Sequence, residues 1–194
     1  MCDFLKKFAV LDTNIDRAHR IVTLLNIIPE LINSKEHSMC YINNYQWLWF
    51  HIIKEQKFSL INIIGQIFDD DEDSYSIYDL RRFLNTKKFD KIEITDEQLR
   101  KWEGCLSGYR KIYRKDIKNW RDKVVAHSDK NYINIKDLKS VKLSTVVFGL
   151  KGLLMDAFDA IVNGQPFSLK PYHKGFSPIE EDARKLFNKI TCKS

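Results

Sequence analysis

Glycine and proline are scarce, 7 and 4 in 194 residues, so few positions oblige the chain to turn or interrupt a helix. Long helices are favoured. The four cysteines, Cys2, Cys40, Cys105 and Cys192, form no C-x-x-C pair or metal-type cluster, which argues against a zinc site and a disulfide framework. A reduced cytoplasm fits them best. No apolar run approaches the ~20 residues of a membrane span, and the start, Met1-Cys2-Asp3-Phe4-Leu5-Lys6-Lys7, lacks the basic region, apolar core and cleavage site of a secretory signal. The expectation is a soluble protein without a membrane partner, a metal or a cofactor.

What is present suits one packed core. Hydrophobic residues make up 44% of the chain, charged residues 30% and aromatics 12%, a globular composition at a length that single domains commonly reach. A single domain over 1–194 is expected. The net charge of +6 permits a polyanionic partner without demanding one. Its distribution says more: Arg110, Lys111, Arg114, Lys115, Lys118, Arg121 and Lys123 stand against Asp116 and Asp122, a local net +5.

Periodicity predicts helices throughout. Ile15, Ala18, Val22, Leu25 and Ile28 form one helical stripe within residues 4–32, with Pro29 expected to break or restart the helix. From Tyr41 to Phe68, Trp47, Leu48, His51, Phe58, Ile61, Ile64 and Ile67 predict a central helix. The acidic run Asp69 to Asp73 lacks the glycine and terminal glutamate of a calcium loop, and reads as an exposed loop. A short helix is expected from Ser76 to about Asn85. A long one spans Val146 to Val162, ended by Asn163-Gly164 in a left-handed cap. Ser177-Pro178 starts a small amphipathic helix that reaches Ile190.

The most informative helix begins at Thr95-Asp96-Glu97-Gln98, a capping-box sequence. Leu99, Trp102, Leu106, Tyr109, Tyr113, Ile117, Trp120 and Val124 then share one stripe, and its company of Leu and Val favours core packing over base stacking. On an ideal helix Arg110, Arg114, Lys118 and Arg121 fall within about 80° of one another on a neighbouring face. Two readings weigh equally there: a solvated charged face and a phosphate-binding groove.

That helix leads into Arg121-Asp122-Lys123-Val124-Val125-Ala126-His127-Ser128-Asp129-Lys130. Arginine is permanently charged and shaped to grip phosphate; histidine can exchange a proton near neutrality. Arg121 to His127 fits the R-x(4–6)-H signature of the HEPN superfamily, and the ten-residue stretch resembles its abortive-infection-associated group. The similarity in pattern covers about residues 40–165. His19, His37, His51 and His173 show no metal-ligand spacing and are expected to be surface or packed residues.

The resemblance, with the helical pattern, implies an all-α, mostly antiparallel bundle of four to five main helices with a short C-terminal helix at 177–190. It also implies a metal-independent endoribonuclease of a toxin–antitoxin or phage-defence system, acting as a homodimer. Arg121, Asp122 and His127 would be catalytic, and Arg110, Arg114, Lys118, Lys123 and Lys130 would bind RNA. An antitoxin protein is a further partner of such systems. Six residues on a straight helix set Arg121 and His127 about 120° apart, so either the helix ends before His127 or a two-fold axis completes the pair. Two rival readings remain: a non-catalytic module that binds RNA, nucleotide or protein, and a dimeric assembly or antitoxin-like factor that uses its tail as the contact.

Overall fold

The computed structural model describes residues 2–33, 46–70, 75–85, 94–119, 121–122, 140–169, 181–182 and 184–185. Within them the chain is helical, with no strand. The main elements are α1 (Cys2–Asn33), α2 (Gln46–Ile67), α3 (Ile77–Asn85), α4 (Asp96–Ile112) and α5 (Ser140–Phe158). A π-helical turn extends α4 over Tyr113–Ile117, and another extends α5 over Asp159–Asn163.

α1 and α5 run antiparallel. Phe8 meets Phe158 with ring centroids 4.7 Å apart, Lys151 Nζ lies 2.6 Å from Asp12 Oδ1, and Asn26 donates to Ser144 Oγ at 3.2 Å. Partner numbers fall along α5 as they rise along α1. The same test makes α4 antiparallel to α5: Trp102 Nε1 donates to the Leu153 carbonyl at 3.0 Å, while Tyr109 lies on Gly149. A Cβ at Gly149 would collide with the hydroxyl end of the Tyr109 ring, so the missing side chain is what lets these helices approach.

A continuous apolar core joins all five helices. The predicted stripe of α1 is buried throughout, and Leu99, Trp102, Leu106, Tyr113 and Ile117 are buried on α4 and its π-turn. Tyr109 is half-buried. Trp120 and Val124 lie outside the described residues. On α5 the core takes Val146, Val147, Leu150, Leu153, Leu154, Ala157 and Ile161. Trp102 is fully buried at no polar cost, because its indole N–H has found a carbonyl.

Local sequence fixes the ends. Thr95 caps α4 as expected: its hydroxyl accepts from the Gln98 N–H at 3.2 Å, and the Gln98 side chain accepts from the Thr95 N–H at 3.0 Å. Ser76 caps α3, accepting from the Tyr78 N–H at 3.3 Å, while Asp79 reaches back to the Ser76 N–H at 3.1 Å. Gly164 ends the turn after α5 at φ 75°, ψ 25°, the left-handed cap its sequence predicts. Beyond it, Asp156 accepts from the Ser168 N–H and hydroxyl, both at 2.8 Å, and from the Leu169 N–H at 2.9 Å. That carboxylate ties the segment after the cap back to α5.

Two expectations need correction. Pro29 does not break the first helix, which continues to Asn33. A proline removes one N–H and crowds one carbonyl, but Ile27 and Ile28 just before it are buried, and tertiary packing keeps the chain helical. On α2, Trp47 and Leu48 are 76% and 54% exposed, and His51 is exposed too. The later part of the predicted stripe holds, with Ile61, Ile64 and Ile67 buried beside Leu60, and the packed face projects back through Ile53 to Trp49, which packs on Ile27. Short apolar runs allow more than one helical phase, and the covering helix selects it. Of the acidic run, Asp69 and Asp70 are exposed; 71–74 lie outside the described residues. In the tail, 181–182 and 184–185 are helical, with Lys185 2.7 Å from Glu181.

Candidate functional site

Arg121 follows the π-turn of α4 and lies against α2. Its side chain crosses that helix at Gly65: a Cβ there would stand 2.7 Å from Arg121 Cδ and 3.4 Å from Nη1. Glycine inside a helix costs about 1 kcal/mol relative to alanine. Here it opens a notch that takes the arginine stem. The side chain remains 30% exposed, and Nε and Nη2 each lie 3.1 Å from Asp122 Oδ1. Asp122, 50% exposed, therefore orients the arginine.

An aromatic wall stands behind this pair. The Phe68 ring stacks on Tyr113 with centroids 4.8 Å apart and 13° between planes, and reaches Tyr78 at 6.5 Å. All three residues are buried. Burial pushes the Tyr113 hydroxyl above its usual pKa, the positive charge of Arg121 opposes it, and Asp122 adds to it. These rings are framework; bases stack on exposed rings, and these are covered.

At the far end of the wall, the Arg110 guanidinium lies over the Tyr78 ring at 4.9 Å, a cation–π contact. Its Nε is buried without a hydrogen-bond partner among the described residues. Burial raises the Tyr78 pKa, while the charges of Arg110, Arg114 and Arg81 oppose the rise. Arg81 belongs to this basic group and also donates to Glu103 at 2.6 Å.

The four predicted basic residues thus fall into two kinds. Arg114 and Lys118 are exposed, whereas Arg110 and Arg121 tuck inward onto α3 and α2. The π-turn at Tyr113–Ile117 moves Lys118 and Arg121 from their places on an ideal stripe, since its wider turn shifts every later residue around the axis. Lys123, His127 and Lys130 lie outside the described residues. No cluster of three His, Cys, Asp or Glu that could hold a metal occurs among the described residues.

Sequence reasoning missed Gly65, Tyr78, Phe68 and Arg81. One signal for Gly65 was available, a lone glycine inside a helical pattern. For Tyr78, Phe68 and Arg81, the packing of α3 on α4 had to be known.

An all-helical bundle with an Arg-x5-His sequence after its fourth helix has the organisation of a HEPN-type protein. A HEPN-type family model, described as AbiU2, matches residues 1–151. The chain belongs to that family, which is associated with abortive infection. The match takes in α1, which the motif-based similarity over 40–165 had left out. No curated protein and no solved structure matches the chain. No described helix is long and apolar enough to cross a membrane.

Proposed function

We propose that this chain is a metal-independent endoribonuclease of an abortive-infection system, acting in the cytoplasm as a homodimer. The observation that carries the reading is Arg121. The arginine of the motif is held on Gly65, oriented by Asp122 and still 30% exposed at the end of a basic helix. A guanidinium so held is prepared to bind a phosphate bidentately.

In this mechanism His127 moves protons and Arg121 stabilises charge. The 2′-oxygen attacks the adjacent phosphorus as its proton passes to a base, the phosphorane charge is held by Arg121, and the P–O5′ bond breaks as that oxygen receives a proton. A 2′,3′-cyclic phosphate and a 5′-hydroxyl result. Each step requires a proton carrier and a cation, which histidine and arginine supply. Lys123, Lys130, Arg114 and Lys118 would track the RNA backbone, with the motifs of two subunits facing one cleft.

A non-catalytic RNA-binding module is the second reading, favoured by the exposed Arg114 and Lys118, whose charges suit a phosphate backbone whether or not it is cut. Two observations separate them. Expression of the wild type should halt growth and leave cellular RNA fragments bearing cyclic phosphate ends, with neither effect for His127→Ala. Salt-sensitive RNA binding without fragments would support the module instead.

A further inference from the structure

Three aromatic rings stand open at the start of α2. Trp47 is 76% and Phe50 44% exposed, and His51 is exposed beside them. Exposed rings grouped within little more than one turn mark a contact surface, not a core. They are not stacked on one another: Trp47 and Phe50 meet edge to face at 6.4 Å and 83°, and Phe50 and His51 at 6.1 Å and 74°. In such a pair the ring that offers its edge keeps its flat faces clear of its neighbour. Further along, Lys54 lies over the Phe58 ring at 5.5 Å, which confines the open rings to the first turns of the helix.

Their place on α2 relates them to the motif arginine. Trp47 and Gly65 are about five full turns of an ideal helix apart, so they share one face, separated by about 27 Å along the axis. Gly65 is where Arg121 crosses that helix. One strand can therefore meet both: 27 Å is about eight nucleotides at the ~3.4 Å rise of a stacked strand, within the ~4–16 nucleotides that single-strand sites cover.

We infer that Trp47, Phe50 and His51 form a stacking platform for the bases of a single-stranded RNA whose backbone is held at Arg121. The inference rests on the RNA-binding reading of Arg121 and names the form of RNA and where its bases lie. A duplex keeps its bases stacked inside and would gain nothing from open rings. The size of the patch also selects a base over a protein partner. An aromatic side chain offers ~150–250 Å², so Trp47, Phe50 and the neighbouring Leu48 together expose on the order of 400 Å², about half of the ~800 Å² that each partner gives to a standard protein interface.

Fluorescence anisotropy of the full-length protein with a labelled, single-stranded 2′-O-methyl RNA of about 12 nucleotides tests this, because the methyl group blocks the attacking oxygen and binding is read without cleavage. Trp47→Ala/Phe50→Ala, both at exposed side chains, should weaken binding by about tenfold or more and leave its salt dependence unchanged, since the phosphate contacts remain. Leu5→Ala, an exposed apolar side chain of α1, should bind as the wild type does, with circular dichroism confirming the fold of each variant. An abasic strand of the same length should bind the wild type and the double variant alike. Equal affinity of wild type and double variant for the base-bearing strand would overturn the platform and leave the nuclease reading standing. An equal loss with the abasic strand would overturn it too, as would a change of oligomeric state in the double variant by light scattering, which would make the rings a contact between copies. Ring-dependent binding with no cleavage of unmodified RNA would instead remove the nuclease reading and leave the platform in place.

Discussion

Two glycines of this chain do opposite work, and alanine at each separates them. At Gly149 the neighbour is the ring of Tyr109 between α4 and α5. A rigid ring yields less readily than a flexible stem, so Gly149→Ala should destabilise the fold by about 1–3 kcal/mol, as overpacking does, and a thermal melt will show it. At Gly65 the neighbour is the flexible stem of Arg121. The stem can yield cheaply, so Gly65→Ala should melt near the wild type while the displaced guanidinium lowers RNA cleavage by about 10–100-fold. Gly108→Ala, where nothing stands within 4 Å of the added carbon, is the control and should cleave normally. Asp79 offers a pH test. Burial alone would raise its carboxyl; hydrogen bonds from Arg82 and Ser76 and the charge of Lys7 outweigh that, and the pKa falls below the usual 3.8. The folded chain therefore binds this proton less tightly than the unfolded one. Its stabilisation is complete above pH 3.8 and disappears as the pH drops through the lower native value. Asp79→Asn should flatten the acid limb of the stability curve, measured by denaturation between pH 5 and about 2.

Among the elements, α4 was the most legible, because three independent signals agreed along it: the capping box at Thr95, the apolar stripe from Leu99 to Ile117 and the basic residues beside it. Removing the cap with Thr95→Ala should cost about 1 kcal/mol, a fall of roughly 2–4 °C in melting temperature for a chain of this size. The π-turn at Tyr113–Ile117 was not legible. Nothing in Tyr-Arg-Lys-Asp-Ile distinguishes a widened turn from an ordinary one, since the choice depends on seating Tyr113 against Phe68 and Ile117 in the core together. The same reason explains α2, where Trp47 and Trp49 are equally hydrophobic and only the position of Ile27 decides which one packs. Gly164 was legible because one left-handed residue suffices to end the helix there.

At the level of the whole molecule, helix count, antiparallel order and family could be read before the structure, because each rests on long periodic segments or on one contiguous motif. The placement of the site could not. It depends on α2 and α3 lying against α4, with Gly65 receiving Arg121 and Tyr78 receiving Arg110. Among the described residues, the motif arginine packs on Gly65, pairs with Asp122 and is partly open to solvent. The proposed activity has Arg121 and His127 together cutting RNA without a metal. Its most direct test is the rate at which purified protein cleaves a labelled RNA oligonucleotide in EDTA, compared among the wild type, Arg121→Ala and His127→Ala. The wild type should cleave, with losses of about 10²–10⁴-fold in each folded variant; equal rates in all three, or cleavage that stops when metal is removed, would overturn the proposal.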